Sequence, residues 1–189
     1  MDNILIQDLI EKLNQLPGIS KKTSIKIANF LVTNNEYDIN SLIHLLENIK
    51  TNISICNICK YTKIASKCKF CDNDRLDFNT LMIVESIQDV DKIEKAGFFQ
   101  GKYFIWDINA LKKKELNLSD DEFNFIDSFE NIILSLSPNL EGEVKSQYLI
   151  NIFKNKNISK LAIGLPFGSQ IDYIDEITLR SAFENRTKI

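Results

Sequence analysis

C-N-I-C-K-Y-T-K-I-A-S-K-C-K-F-C occupies residues 56–71 and holds all 4 cysteines of the chain. Cys56 and Cys59 make one C-x-x-C pair, and Cys68 and Cys71 make a second after a gap of eight residues. A C-x-x-C turn directs two thiolates toward one point, and two such turns close a tetrahedral sphere around a single Zn²⁺. A four-thiolate sphere has no position for water, so the metal is read as structural. Disulfides do not suit a cytosolic chain, and a redox C-x-x-C normally occurs once, at a helix start. Lys60, Lys63, Lys67 and Lys69 surround the two pairs. They read either as solvent-facing charge that offsets the negative charge of a zinc tetrathiolate or as contacts to DNA.

The charge of the chain changes sign just after Cys71. Residues 1–71 carry 9 Lys and 6 Asp+Glu, a balance of +3; the remaining 14 Lys+Arg and 20 Asp+Glu give −6, which sums to the net −3. That net charge argues against coating nucleic acid by bulk attraction and leaves room for a local basic site. With 189 residues, 44% hydrophobic and 26% charged, the chain is one large globular domain or two or three small ones. Its composition excludes a disordered polymer, a collagen-like fibre and a coiled-coil rod. No apolar run approaches the ~18 residues of a membrane span. The opening M-D-N-I-L-I-Q-D-L-I lacks the basic start of a signal peptide. A cytoplasmic protein is expected.

Upstream of the cysteines, Leu5, Leu9 and Leu13 recur every four residues and predict a helix over 2–15. L-P-G-I-S-K-K-T (16–23) follows, in which Pro17 and Gly18 stop that helix and allow a tight turn. Ser20 is placed to cap a second helix running to about Val32, with Ile25, Ala28 and Leu31 facing inward. A third amphipathic helix is expected over 39–49. It holds His44, the only histidine, which is read as structural. A glycine hairpin and a helix start both present free N–H groups, a combination suited to a phosphate. Lys22 and Lys26 lie four apart on one helix face. This is a helix-hairpin-helix pattern, which binds DNA without reading bases; the plainer alternative is a helical corner with solvated lysines. Ser20 stands at the usual second hairpin glycine. If that position takes positive φ, serine costs about 1 kcal/mol.

Downstream, strands alternate with helices. L-M-I-V (81–84), K-Y-F-I-W (102–106), N-I-I-L-S-L (131–136) and K-L-A-I-G-L (160–165) are the expected strands. Helices are expected over 88–96, 120–129, from S-P-N-L-E-G-E to about Lys154, and over 172–183. Such alternation predicts a parallel or mixed sheet covered on both faces. Ligands of such sheets sit at the carboxyl ends of strands, where Glu85, Asp107 and S-P-N-L-E-G-E fall. A Mg²⁺ site there would have one carboxylate, Glu85, and two displaced ones, Glu141 and Glu143, beside Ser137 and Asn139. That is a poor cage for an ion that wants well-placed oxygens. Glu141 and Glu143 read equally as acids in a helix's first turn.

The order L-P-G-I-S-K-K-T, C-x2-C-x8-C-x2-C, L-M-I-V-E-S-I-Q-D-V, L-S-P-N-L-E-G-E-V and G-L-P-F-G-S-Q-I-D-Y-I-D-E-I-T-L resembles the RecR family of bacterial recombination mediators over nearly the whole chain. The resemblance implies an α/β multidomain protein: a helix-hairpin-helix domain (1–53), a four-cysteine zinc finger (54–77), a Toprim α/β sheet domain (78–165) and a C-terminal segment with a Walker-B-like strand (166–189). It implies dimers or ring tetramers that clamp DNA, no enzymatic activity, and action with RecO and RecF to load RecA on single-stranded DNA coated by SSB. It places DNA contact at Gly18, Lys21, Lys22 and Lys26, one structural zinc at Cys56, Cys59, Cys68 and Cys71, and partner contact at Glu85, Glu141 and Glu143. Asp107-Ile108, residues 112–119 and Gly168-Ser169-Gln170 depart from the family pattern. The last of these lacks an acid that a nucleotide-dependent role would need. The competing readings are a Mg²⁺-dependent Toprim nuclease or primase and a protein-interaction scaffold without DNA contact.

Overall fold

The computed structural model describes residues 3–34, 36–106 and 118–187, without the side chains of 36–38. Asp107, Ile108 and most of 112–119 lie outside the described residues. The chain divides into two compact units between Ile53 and Ser54.

The first unit is helical: α1 (Ile4–Asn14), α2 (Lys21–Thr33) and α3 (Glu36–Asn52). α1 and α2 pack together across the turn Leu16–Ile19, where the Ile19 amide donates to the Leu16 carbonyl at 3.3 Å. Pro17 and Gly18 fill the middle of this turn, and Gly18 takes φ +78°, the left-handed conformation open to glycine. Ser20 does not share it. Its φ of −78° and ψ of 159° are extended, and its hydroxyl accepts from the Thr23 amide at 3.2 Å. The expected strain at Ser20 is therefore absent, because the residue is the N-cap of α2, a place serine favours. The inward face of α2 holds Ala28 and Leu31 as expected, but Ser24 takes the place expected of Ile25. Ser24 and Ala28 are buried, with Ile27 and Leu31 half-buried, while Ile25 is exposed. Small residues four apart form the covered stripe, and the Ser24 hydroxyl is satisfied by the Ser20 carbonyl at 2.9 Å.

A small sheet follows, of β1 (Ile53–Ile55), whose first residue closes the first unit, β2 (Thr62–Ile64) and β3 (Lys67–Cys68). A parallel sheet follows, made of β4 (Thr80–Val84), β5 (Lys102–Ile105), β6 (Asn131–Ser135) and β7 (Asn157–Lys160) in the order β5-β4-β6-β7. Its connections include α4 (Ile87–Ala96), α5 (Asp120–Asp127) and α6 (Leu140–Ile152). A 3₁₀ turn (Ile171–Tyr173) and α7 (Glu176–Glu184) end the described chain. β4 is buried at every residue, as the inner strand of a two-faced parallel sheet must be. Alternate residues serve opposite cores. Met82, Val84, Tyr103 and Ile105 face Val90 of α4 and the cysteines. Leu81, Ile83, Phe104, Ile132 and Leu134 face Ile126 of α5 and Leu149 of α6.

The fourth strand differs from expectation. β7 covers Asn157–Lys160 rather than 160–165. Its one neighbour among the described residues, β6, ends at Ser135 and turns through Ser137–Asn139 into α6. The Leu161 amide makes one last bond to the Leu134 carbonyl at 3.2 Å. Beyond it no strand of the described residues continues alongside, so the apolar run past Lys160 leaves the sheet.

Candidate metal centre and nucleic-acid interface

The four cysteine sulfurs lie within 4.8 Å of one another. Cys59 and Cys68 are 3.4 Å apart, and Cys56 and Cys71 are 3.8 Å apart. Each pair is wrapped by backbone bonds. The Cys56 amide donates to the Tyr61 carbonyl at 2.7 Å and the Lys60 amide to the Cys56 carbonyl at 3.0 Å. The Asp72 amide donates to the Cys68 carbonyl at 3.1 Å, and the Asp72 carboxylate accepts from the Cys68 amide at 2.6 Å. A two-residue turn, Ala65-Ser66, brings the pairs together, with both residues at positive φ. Three of the thiols are buried and Cys71 is half-buried. The Cys71 thiol is pulled down to about 6 by hydrogen bonds from the Cys59 thiol first and then those of Cys56 and Cys68, against burial. Cys59 is held up by donating to Cys71 and by burial. The four thiols are positioned to hold one metal ion in a closed sphere.

This finger is built into the sheet's core rather than appended to it. Phe70, between the cysteines of the second pair, is fully buried and meets Tyr61 and Tyr103 edge-on at 4.8 and 4.9 Å. Arg75 lies over the Phe70 ring and binds Glu94 of α4 through both terminal nitrogens, at 2.7 and 3.3 Å. Lys69 (3.0 Å) and the Tyr103 hydroxyl (2.9 Å) reach the same carboxylate. Burial alone would raise the pKa of Glu94; the bonds from Arg75, Lys69 and Tyr103 outweigh it and hold the group below the usual carboxylate value. Of the four lysines around the cysteines, Lys69 pairs with Glu94 and Lys60 pairs with Glu122 at 2.8 Å. Lys63 and Lys67 flank the hairpin turn, half-buried and exposed respectively.

In the first unit, Gly18, Lys21, Lys22 and Lys26 are all exposed. The three lysines have no ion pair among the described residues. They stand at the start of α2, directly after the Gly18 turn. One of the helix-start donors, the Thr23 amide, is already taken by Ser20.

The strand ends hold a third cluster. Glu85, just past β4, is 8% exposed. One of its oxygens accepts from the Ser137 amide at 2.9 Å and from the Ser137 hydroxyl. The other lies 3.4 Å from the ammonium of Lys145, which is also 3.4 Å from the Trp106 carbonyl and over the Trp106 ring. Burial would raise the pKa of Glu85, but the Ser137 and Lys145 bonds together lower it. Glu141 and Glu143 are exposed in the first turn of α6, which Asn139 caps through the Gly142 amide at 2.8 Å. Glu143 accepts from Lys160 at 2.5 Å and Gln147 at 3.1 Å, and is held below its usual value by them. Glu85 and these two acids thus sit in different settings, one enclosed and two open. Sequence reasoning overlooked Lys145. It is fully buried on the stripe Gly142, Lys145, Ser146, Leu149, and that helical spacing was the available signal.

Paired helices around a glycine turn, a four-cysteine finger and a parallel sheet with a glutamate at its first strand end define a helix-hairpin-helix and Toprim protein. Family models agree: "RecR, helix-hairpin-helix" matches residues 6–50, "Toprim domain" 79–162 and "RecR, C-terminal" 164–187. The recombination protein RecR of Mycoplasmopsis pulmonis is 39% identical over 98% of this chain and 100% of its own length. That of Tropheryma whipplei is 34% identical over 98% of both chains. That of Ureaplasma urealyticum serovar 10 is 32% identical over 96% of this chain and 94% of its own. The chain belongs to the RecR family.

Proposed function

We propose that the chain is a DNA-binding mediator of recombination and repair that performs no chemistry of its own, acting as a homo-oligomeric clamp. The observation that carries this reading is the exposed trio Lys21, Lys22 and Lys26 beside the Gly18 turn at the start of α2. Ammonium groups and helix-start amides recognise phosphate, which every DNA sequence carries. In this reading Cys56, Cys59, Cys68 and Cys71 hold one structural Zn²⁺, since four thiolates suit that ion and leave no site for water. Glu141 and Glu143 offer negative charge to a partner, with Glu85 supporting the helix that carries them. RecO and RecF are the partners, and the outcome is RecA loading on single-stranded DNA coated by SSB. The names of the relatives, recombination proteins, support the role in recombination.

Binding to single-stranded DNA followed by fluorescence anisotropy at several salt concentrations tests it. Affinity should fall linearly on a log–log salt plot, and Lys22→Ala/Lys26→Ala should lower both the affinity and the slope, the slope by up to about 2. Binding unchanged in the double variant would remove the hairpin from the mechanism. Retention of a RecO partner that depends on Glu141 and Glu143, with no DNA affinity at all, would favour a scaffold instead.

A further inference from the structure

A Toprim sheet with a glutamate at its first strand end implies a divalent cation, and the residues here do not fit one. Mg²⁺ takes six oxygens at about 2.0–2.1 Å in near-octahedral array and keeps several waters. Glu85 has one oxygen committed to the Ser137 amide and hydroxyl. Among the described residues, its other oxygen and the Trp106 carbonyl both face the Lys145 ammonium at 3.4 Å. Lys145 is fully buried and Glu85 nearly so, so an ion that reached them would have to shed most of its water.

We propose that the Lys145 ammonium is a tethered counter-ion that replaces the divalent cation at Glu85, so that this strand end binds no metal. A second cation arriving at Glu85 would meet a positive charge at contact distance in a weakly screened interior. Displacing Lys145 would bury an unpaired ammonium, which is strongly unfavourable. Nor is α6 free to carry Lys145 away. Gly142 lies so close to Ser137 that an added Cβ would clash with its carbonyl oxygen, and Asn139 caps the same turn. The inference does not depend on DNA binding.

The test uses the full, zinc-loaded chain and Tb³⁺, an oxygen-seeking probe of divalent sites. Trp106, the only tryptophan, stands 5.7 Å from the Lys145 nitrogen and would sensitise a bound ion. Excited in the indole band, wild type should give no more Tb³⁺ emission than Glu85→Gln. Lys145→Met should bind Tb³⁺ on the order of tenfold or more tightly than wild type, and Glu85→Gln/Lys145→Met should lose that gain. Wild-type emission that Glu85→Gln abolishes would overturn the proposal. So would a folded Lys145→Met that binds no better than wild type. If Lys145→Met fails to fold, Lys145→Gln, which keeps a donor for the Trp106 carbonyl, takes its place with the same expected gain.

Discussion

The amide of Ile105 donates to the carbonyl of Cys59 at 3.0 Å. Ile105 ends β5, the outer strand of the parallel sheet, and Cys59 is a prospective metal ligand. An outer strand normally leaves a row of backbone groups unpaired. Here the first cysteine turn takes one of them, while Cys56, Cys59 and Cys68 share a core with Met82, Val84 and Tyr103. The four-cysteine cluster and the sheet therefore share one core.

Removal of the metal should reach beyond the finger. Four-thiolate sites of this kind contribute on the order of 10 kcal/mol of apparent folding free energy. Chelation should therefore lower the melting temperature of the second unit and change the emission of Trp106. Zn²⁺ should restore both. Unaltered melting and emission after complete metal loss would show that the sheet stands without its finger.

Acid should weaken the same region through Glu94 and Glu85. Both carboxyls are held below their usual values in the folded chain. Their contribution is thus complete above the unfolded pKa of about 4.3 and is lost as pH falls through the lower folded values. Glu94→Gln should cost about 2–4 kcal/mol at neutral pH, because Arg75 loses its partner in a setting only 17% exposed. Urea unfolding from pH 7 downward should show a shallower loss of stability in this variant than in wild type.

The hairpin turn is a place to gain stability. Ala65 and Ser66 take φ of 47° and 72° between the paired residues Ile64 and Lys67. Two-residue turns with both residues in this region favour Asn-Gly. Ala65→Asn/Ser66→Gly should stabilise the protein by about 1 kcal/mol, read as a higher urea midpoint at unchanged slope. No gain would mean the turn's strain is already relieved by its surroundings.

Gly142 should resist any side chain. An added Cβ would press on the Ser137 carbonyl, which is backbone and cannot rotate away. Gly142→Ala should cost about 2 kcal/mol or more, despite alanine's better helix propensity. A variant as stable as wild type would mean that α6 moves freely at its first turn.

Much of this architecture was legible in the residues themselves. Leu5, Leu9 and Leu13 announce α1, and the alternation of apolar runs with amphipathic ones announces the parallel sheet. Ser20 was legible as a cap but not as free of strain, because only the path of the turn shows that Gly18 alone takes positive φ. The length of β7 was hidden for a similar reason. Leu161, Ile163 and Leu165 are apolar enough for a strand, yet a strand exists only where a neighbour offers bonds, and β6 stops at Ser135. Lys145 was hidden because a lysine is presumed solvated until a buried carboxylate is seen beside it.

Spacing along the chain by itself determined the four-thiol metal set, the helical hairpin and the strand–helix alternation, since each depends on residues near one another in the sequence. Tertiary structure alone decided that the finger forms one face of the sheet's core and that Lys145 closes on Glu85, 60 residues away. Contacts at that separation depend on how strands register and helices pack, and no local pattern encodes them.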